Sequence, residues 1–419
     1  MNITATHAVV QADASRGEFA PVGECTEKRA LATPALGLVW FGASVSLAEI
    51  LTGTFFTPLG LTDGLQAILI GHAIGFCLFA LIAYVSAKTG LGAMDAVKLS
   101  FGRYGSLVFS VANVVQLVGW TAIMVASGAA AAAFLVPVVG MVGWCAVIGV
   151  LIVVWIAIGV RNMSRIQAVA SVCLFVLTIV ISTTVFTADA APFGADEALS
   201  FGAAVELAVA MPLSWLPVVG DYTREAKKPL AGSLIAATTY SLGSVWMFAI
   251  GLGMALFAGS GDLAEILSSA GLGIVGILVV VLSTVTTTFL DAQSAGVSAS
   301  AIHSSLLAKW LGVGVAVVGA FAAALAPVGD FENFLYLIGS VFAPMVAILL
   351  TDYLLLGNDS SRNPVNAPNL VLWLAGFVLY RFSMSWDFVL GNTLPVMIAV
   401  ALATLLVGLI RKCMRRTIG

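Results

Sequence analysis

Apolar residues run along this chain in long blocks. They show neither the alternation of a half-buried strand nor the one-sided stripe of a surface helix. About twelve blocks approach the ~20 residues that a helix needs to cross ~30 Å of hydrocarbon. They are 34–59, 64–87, 105–135, 137–160, 164–187, 199–220, 231–258, 272–296, 306–327, 331–356, 368–385 and 389–411. No stretch repeats the ten-residue alternation of an outer-membrane barrel. The pattern predicts an all-α polytopic membrane protein of about twelve transmembrane helices. Its single membrane domain spans 34–411, between polar tails at 1–33 and 412–419. The N-terminal tail lacks the apolar centre of a cleaved signal peptide.

Two blocks are interrupted at comparable places. The first carries Gly42, Ser44, Ser46, Glu49, Thr52, Gly53 and Pro58. The sixth carries Pro212, Ser214, Trp215 and Pro217. Proline removes a helical hydrogen bond and clashes with the preceding turn. Freed backbone is tolerated in a membrane where it lines a cavity or is buried in protein. Broken helices five spans apart point to an inverted-repeat transporter with its site near the midplane. The repeats are then 34–187 and 199–356, with 368–411 as two added helices.

Composition agrees. The 419 residues are 60% hydrophobic and 9% charged, against roughly 25% charged in soluble proteins. That excludes a soluble enzyme, a nucleic-acid binder and a disordered scaffold. The charges also sort by loop. Lys28, Arg29, Lys88, Lys98, Arg103, Arg161, Arg165, Arg224, Lys227, Lys228, Lys309, Arg362, Arg411, Lys412, Arg415 and Arg416 fall on one side. Asp63, Asp189, Asp196, Glu197, Asp262, Glu265, Asp330, Glu332 and Asp387 fall on the other, with Arg381 the exception. The positive-inside rule then places both termini in the cytoplasm. Cys25, Cys77, Cys145, Cys173 and Cys413 form no CxxC pair, and His7, His72 and His303 are too scattered for a metal cluster.

Charge inside a membrane is costly, so Glu49, Glu206 and Asp291 stand out. Glu206 either serves function or snorkels to the outer interface. Glu49 accepts from a substrate amino group, carries a proton, or bonds the backbone of the broken helix. Asp291 lies near a pocket or caps its span. Ser283, Thr286 and Thr287 share one helical face, spaced i, i+3 and i+4. Such hydroxyls either help hold a dehydrated Na⁺ or bond back to their own helix. Gln116 and Trp120 share a face in mid-span, suited to stacking a flat heterocycle and reading its edge. Trp40 and Trp215 fall within the broken spans. There is no HExxH helix and no carboxylate paired with histidine, which argues against an intramembrane hydrolase. No repeated filter motif suggests a channel.

These residues resemble a known family. Lys88-Thr89-Gly90-Leu91, Ser100-Phe101-Gly102, Gln116-Leu117-Val118-Gly119-Trp120 and Asp221-Tyr222-Thr223-Arg224 look like the bacterial cytosine permease branch of the nucleobase–cation symporter-1 family. Ala48-Glu49-Ile50-Leu51-Thr52-Gly53, Met211-Pro212-Leu213-Ser214-Trp215-Leu216-Pro217 and Thr288-Phe289-Leu290-Asp291-Ala292 look most like its hydroxymethylpyrimidine (thiamine-precursor) branch. The resemblance implies a LeuT-type fold with a 5+5 inverted repeat and broken helices 1 and 6, working by Na⁺-coupled alternating access. It implies substrate contacts at Gln116, Trp120, Ser214 and Thr288. Trp215 stands one turn from where the family has its span-six aromatic, which here is Pro212. It implies Na⁺ ligands at Ser283, Thr286 and Thr287, with carbonyls of Gly37 and Trp40.

The expectation is a Na⁺-coupled symporter for a small pyrimidine, hydroxymethylpyrimidine before cytosine or another nucleobase, with H⁺ as the alternative ion. Glu49 is then a substrate contact to an exocyclic amine. No cofactor, nucleic acid or second subunit is expected. The setting is a bacterial inner membrane and its lipid.

Overall fold

The computed structural model describes residues 31–158, 163–186, 198–257, 260, 265, 273–302, 308–325 and 331–418. The first predicted block is two helices, α1 (Thr33–Ser44) and α2 (Leu47–Thr54). The first half continues with α3 (Gly60–Thr89), a short α4 (Ala93–Phe101), α5 (Leu107–Leu135), α6 (Gly140–Ile158) and α7 (Met163–Val185). The second half opens with α8 (Phe201–Ser214), α9 (Leu216–Thr223), α10 (Pro229–Phe257) and α11 (Gly273–Ile302). It closes with α12 (Ala308–Leu325), α13 (Phe331–Leu349), α14 (Ala367–Ser383) and α15 (Thr393–Ile418).

Every predicted block holds helix. Among the described residues, nine helical segments are long and apolar enough to cross a membrane, and ten with α1 and α2 taken as one bent span. The 17 residues of α14 and the apolar stretch Ala168–Thr183 of α7 are shorter. The last helix runs through Ile418, so most of the predicted tail 412–419 is its final turns. Residues 1–30 of the other tail lie outside the described residues, as do Arg161, Asp189, Asp196, Glu197, Asp262 and Asp330.

The broken helices sit at the centre. In its most apolar stretch the α8–α9 span is 89% buried, whereas α6, α12 and α15 are each 28% buried and face outward. Exposed Leu69, Val150, Phe321 and Leu406 belong to that apolar outer surface. Close approach at the centre uses residues without bulk, as expected where lipid removes the hydrophobic drive between helices. Gly71 and Gly75 of α3 lie against Ala208 and Pro212 of α8. Gly53 of α2 lies against the Phe248 backbone of α10, and Gly251 lies against the Ile50 carbonyl.

This reciprocal glycine crossing fixes where α2 rests. A side chain there must overlap backbone, which cannot rotate away. Gly251→Leu is expected to destabilise the protein by about 1–3 kcal/mol as overpacking. A fall in the thermal unfolding midpoint in detergent checks this. An unchanged midpoint contradicts the crossing.

Candidate functional site

The α1–α2 break bends by 50°. The α1 helix stops at Val45, whose N–H bonds the Phe41 carbonyl. Ser46 then caps α2 by accepting from the Glu49 N–H at 3.4 Å. A helix end leaves its last carbonyls without backbone partners. Two of the carbonyls at this break are reached by hydroxyls from other helices. Ser171 of α7 donates to Gly42 O and Ser283 of α11 to Val45 O, both at 3.4 Å.

The span-one carbonyls expected as ion ligands are those of Gly37 and Trp40. Both lie inside α1, where carbonyls are taken by the N–H four residues on. Gly37 packs on Ile235 and Thr239 of α10. The Trp40 ring is fully buried, edge-on to Phe79, Trp215, Tyr222 and Tyr240. Gly42 and Val45 keep the same i, i+3 spacing at the break itself.

The second break is gentler than the prolines suggest. Trp215 alone separates α8 from α9, in right-handed helical conformation, and Phe201–Thr223 is still one span. Pro217 has no N–H for the Leu213 carbonyl. The Val218 N–H turns to Trp215 O at 2.9 Å, which leaves Ser214 O to the Gln116 side chain at 3.0 Å. Gln116 Nε2 also donates to Asn113 Oδ1 at 2.8 Å. Asn113 Nδ2 in turn reaches Pro217 O at 3.1 Å and Ser298 Oγ at 2.8 Å. Gln116 thus braces the break and keeps one buried acceptor, Oε1, without a partner. Asn113 was missed in the sequence, although it lies one turn before Gln116 on the same face.

Between the breaks is a cavity of about 20 Å³, room for a water and no more. Its lining includes the cap residue Ser46, Glu49 of α2, Trp120 of α5, Trp215, and Thr287 and Asp291 of α11. Four predicted site residues, Glu49, Trp120, Trp215 and Thr287, therefore converge. Gln116, Ser214 and Thr288 are not part of that lining. The Ser214 hydroxyl bonds back to Met211 O at 2.7 Å. Thr288 is fully buried with Oγ1 unpartnered. On the predicted ion face, Thr286 bonds back to Ser283 O at 3.0 Å, while Thr287 Oγ1 has no partner.

The three carboxylates resolve differently. Glu49 is 1% exposed and accepts from Tyr240 at 2.9 Å and Ser244 at 2.6 Å, both on α10. Asp291 lies well inside α11, which runs on to Ile302, so it is a cavity residue and not a cap. Glu206 does not snorkel. It is 1% exposed and holds Tyr380, the Thr393 N–H and the Thr393 hydroxyl.

Three of the motifs that carry the resemblance, Lys88–Leu91, Ser100–Gly102 and Asp221–Arg224, contribute no residue to the cavity lining. Asp221 Oδ1 accepts from the Ala93 N–H at 3.0 Å and anchors the start of α4. Gly90 (φ 75°) ends α3, and Gly102 (φ 81°) turns the chain under Asn363–Val365.

Residues 21–362 match the family profile described as permease for cytosine/purines, uracil, thiamine, allantoin. The chain belongs to the nucleobase–cation symporter-1 family. Its relatives include the cytosine permease of Escherichia coli strain K12, 26% identical over 350 residues and 80% of each chain. Among solved structures, this symporter superposes on Mhp1 of the same family, closed with bromovinylhydantoin bound. That match has a TM-score of 0.72 at 19% identity, over 91% of this chain and 92% of the other. Inward-facing Mhp1 gives 0.75 at 17%, over 93% and 92%. A substrate-bound, outward-open Na⁺-coupled sialic acid symporter gives 0.67 at 13%, over 90% and 88%. The symporter therefore has the LeuT-type fold, and its relatives are permeases, not enzymes.

Proposed function

We propose that this symporter imports a small pyrimidine, hydroxymethylpyrimidine, driven by Na⁺. The observation that carries the reading is the convergence of Trp120, Trp215, Glu49 and Thr287 on one cavity between two helix breaks. Trp120 supplies a face for a flat ring. Glu49 retains carboxylate lone pairs for an exocyclic amine beyond those facing Tyr240 and Ser244. Gln116 Oε1, Thr287 and Thr288 are polar groups in want of partners. The cavity is far below the 300–1,000 Å³ typical of ligand sites. Entry of a ring therefore requires the helices around it to part, as alternating access supplies.

For Na⁺, the donor set is Ser283, Thr286 and Thr287 with the Gly42 and Val45 carbonyls, all hard oxygen. The expected carbonyls at Gly37 and Trp40 are replaced by those at the break. The protein acts as a monomer in a bacterial inner membrane, with both termini cytoplasmic, where the basic loops lie. Cytosine is the second reading, favoured by the curated relative.

Ligand-induced thermal stabilisation tests substrate and ion together. Ligand at about a hundred times its Kd stabilises by about 2.7 kcal/mol. Among hydroxymethylpyrimidine, cytosine, uracil, hydantoin and thiamine, the first is expected to raise the midpoint most, and only with Na⁺ present. A larger shift with cytosine selects the second reading. A full shift without Na⁺ contradicts the ion assignment.

A further inference from the structure

His72 of α3 is 2% exposed, with its ring edge-on to Phe248 at 4.9 Å between centroids. Its Nδ1 lies 2.8 Å from Ile68 O, and its Nε2 lies 2.6 Å from Ser244 Oγ. Ser244 Oγ lies in turn 2.6 Å from Glu49 Oε2. The sequence offered no partner for this histidine, because Ser244 and Glu49 are distant along the chain.

Hydrogen accounting fixes the state of this chain of groups. A carbonyl accepts only, so Nδ1 carries a hydrogen. The contacts Nε2–Oγ and Oγ–Oε2 each need one hydrogen between them. Ser244 supplies one. The other must rest on His72 Nε2 or on Glu49 Oε2. With neither, one of these short buried contacts sets lone pair against lone pair. Moving the ring hydrogen from Nδ1 to Nε2 only transfers that conflict to Ile68 O. With both, the serine hydrogen has no acceptor. The chain is satisfied by one proton, neither more nor fewer.

We propose that Glu49–Ser244–His72 is a proton-binding site of the transport cycle, opening only through the cavity. Of its members, Glu49 alone lines the cavity, while Ser244 and His72 are buried behind it. Transfer along it is balanced. The Glu49 proton passes to Ser244 Oγ as the serine proton passes to His72 Nε2, and no other bond changes. The ionisable groups facing Glu49 are the Tyr240 hydroxyl on α10 and Asp291 on α11, across the cavity. The α5 and α8 sides present Trp120, Met124, Met211 and Trp215, and no basic residue lines the cavity. A proton on the chain offsets one of two facing carboxylates. The proposal rests on this cavity being the transport site.

Infrared and ¹⁵N spectroscopy of the ligand-free protein near neutral pH read the site without any substrate. The expected result is a buried carboxylic acid band lost in Glu49→Gln, or imidazolium signals lost in His72→Gln, with both variants folded by thermal melting. Ionised Glu49 beside neutral His72 overturns the proposal. Proteoliposomes with a trapped pH dye then read the role in transport. Uptake of hydroxymethylpyrimidine or cytosine is expected to acidify the lumen, and the acidification is lost in His72→Gln. Accumulation without acidification overturns that role. If neither compound accumulates, the substrate reading fails, while the spectra still decide the proton site.

Discussion

Trp120→Ala is expected to reduce substrate affinity about 30- to 100-fold, the equivalent of about 2–3 kcal/mol, while the protein still folds. The indole is 7% exposed at the cavity wall, held edge-on by Phe331 at 5.8 Å and Phe334 at 5.5 Å between centroids. These two rings belong to α13, so the orientation of Trp120 is set by a helix outside the breaks. Truncation removes the stacking surface and leaves a void that water fills. Trp120→Phe keeps an aromatic face and should retain most of the affinity. Thermal-shift titration with the pyrimidine measures both variants. Equal affinity in wild type and Trp120→Ala would place the substrate elsewhere.

Glu206→Ala is expected to cost stability instead of affinity. One buried carboxylate accepts the Tyr380 hydroxyl, the Thr393 hydroxyl at 2.6 Å and the Thr393 N–H at 2.7 Å. Through these it ties α14 and the start of α15 to α8. The chain before Thr393 reaches the same point, with Gly391 (φ 72°) seated on the Glu206 backbone. Truncation strands three donors in a buried site, at a cost of roughly 3–5 kcal/mol. Glu206→Gln should fall between, because its amide carbonyl still accepts but its NH₂ faces a donor. The unfolding midpoint in detergent reads the series. A midpoint unmoved by Glu206→Ala would mean that the added helices do not depend on this contact.

The helices and their order are legible because apolar blocks of this length admit few structures in a membrane. The first break is legible for a related reason. Gly42, Ser44 and Ser46 are poor residues for continuous apolar helix, and the chain does stop at Val45. Which carbonyls the bend leaves for side-chain partners is not legible. Gly37/Trp40 and Gly42/Val45 have the same spacing, and only the position of the bend distinguishes them. The second break is legible from its prolines and falls at Trp215, within one continuous span that Gln116 and Asn113 brace from α5.

Carboxylates show the same limit. Periodicity places Glu206 near a span end, where snorkelling is cheap, yet Tyr380 and Thr393 reach it from the far end of the chain. The Glu49–Ser244–His72 chain joins three helices, so no local pattern announces it. Three of the four recognisable motifs, by contrast, are corners. Gly90, Gly102 and Asp221 fix turns and helix starts, which constrain residue type strongly and locally. They contribute nothing to the cavity lining, which the Gln116–Trp120 motif reaches through Trp120.

Uptake of labelled hydroxymethylpyrimidine into proteoliposomes tests the central claim most directly. The predicted result is saturable accumulation under an inward Na⁺ gradient, lost when Na⁺ is equal on both sides and strongly reduced in Trp120→Ala. Full accumulation with Na⁺ absent, or uptake indifferent to Trp120, would contradict it.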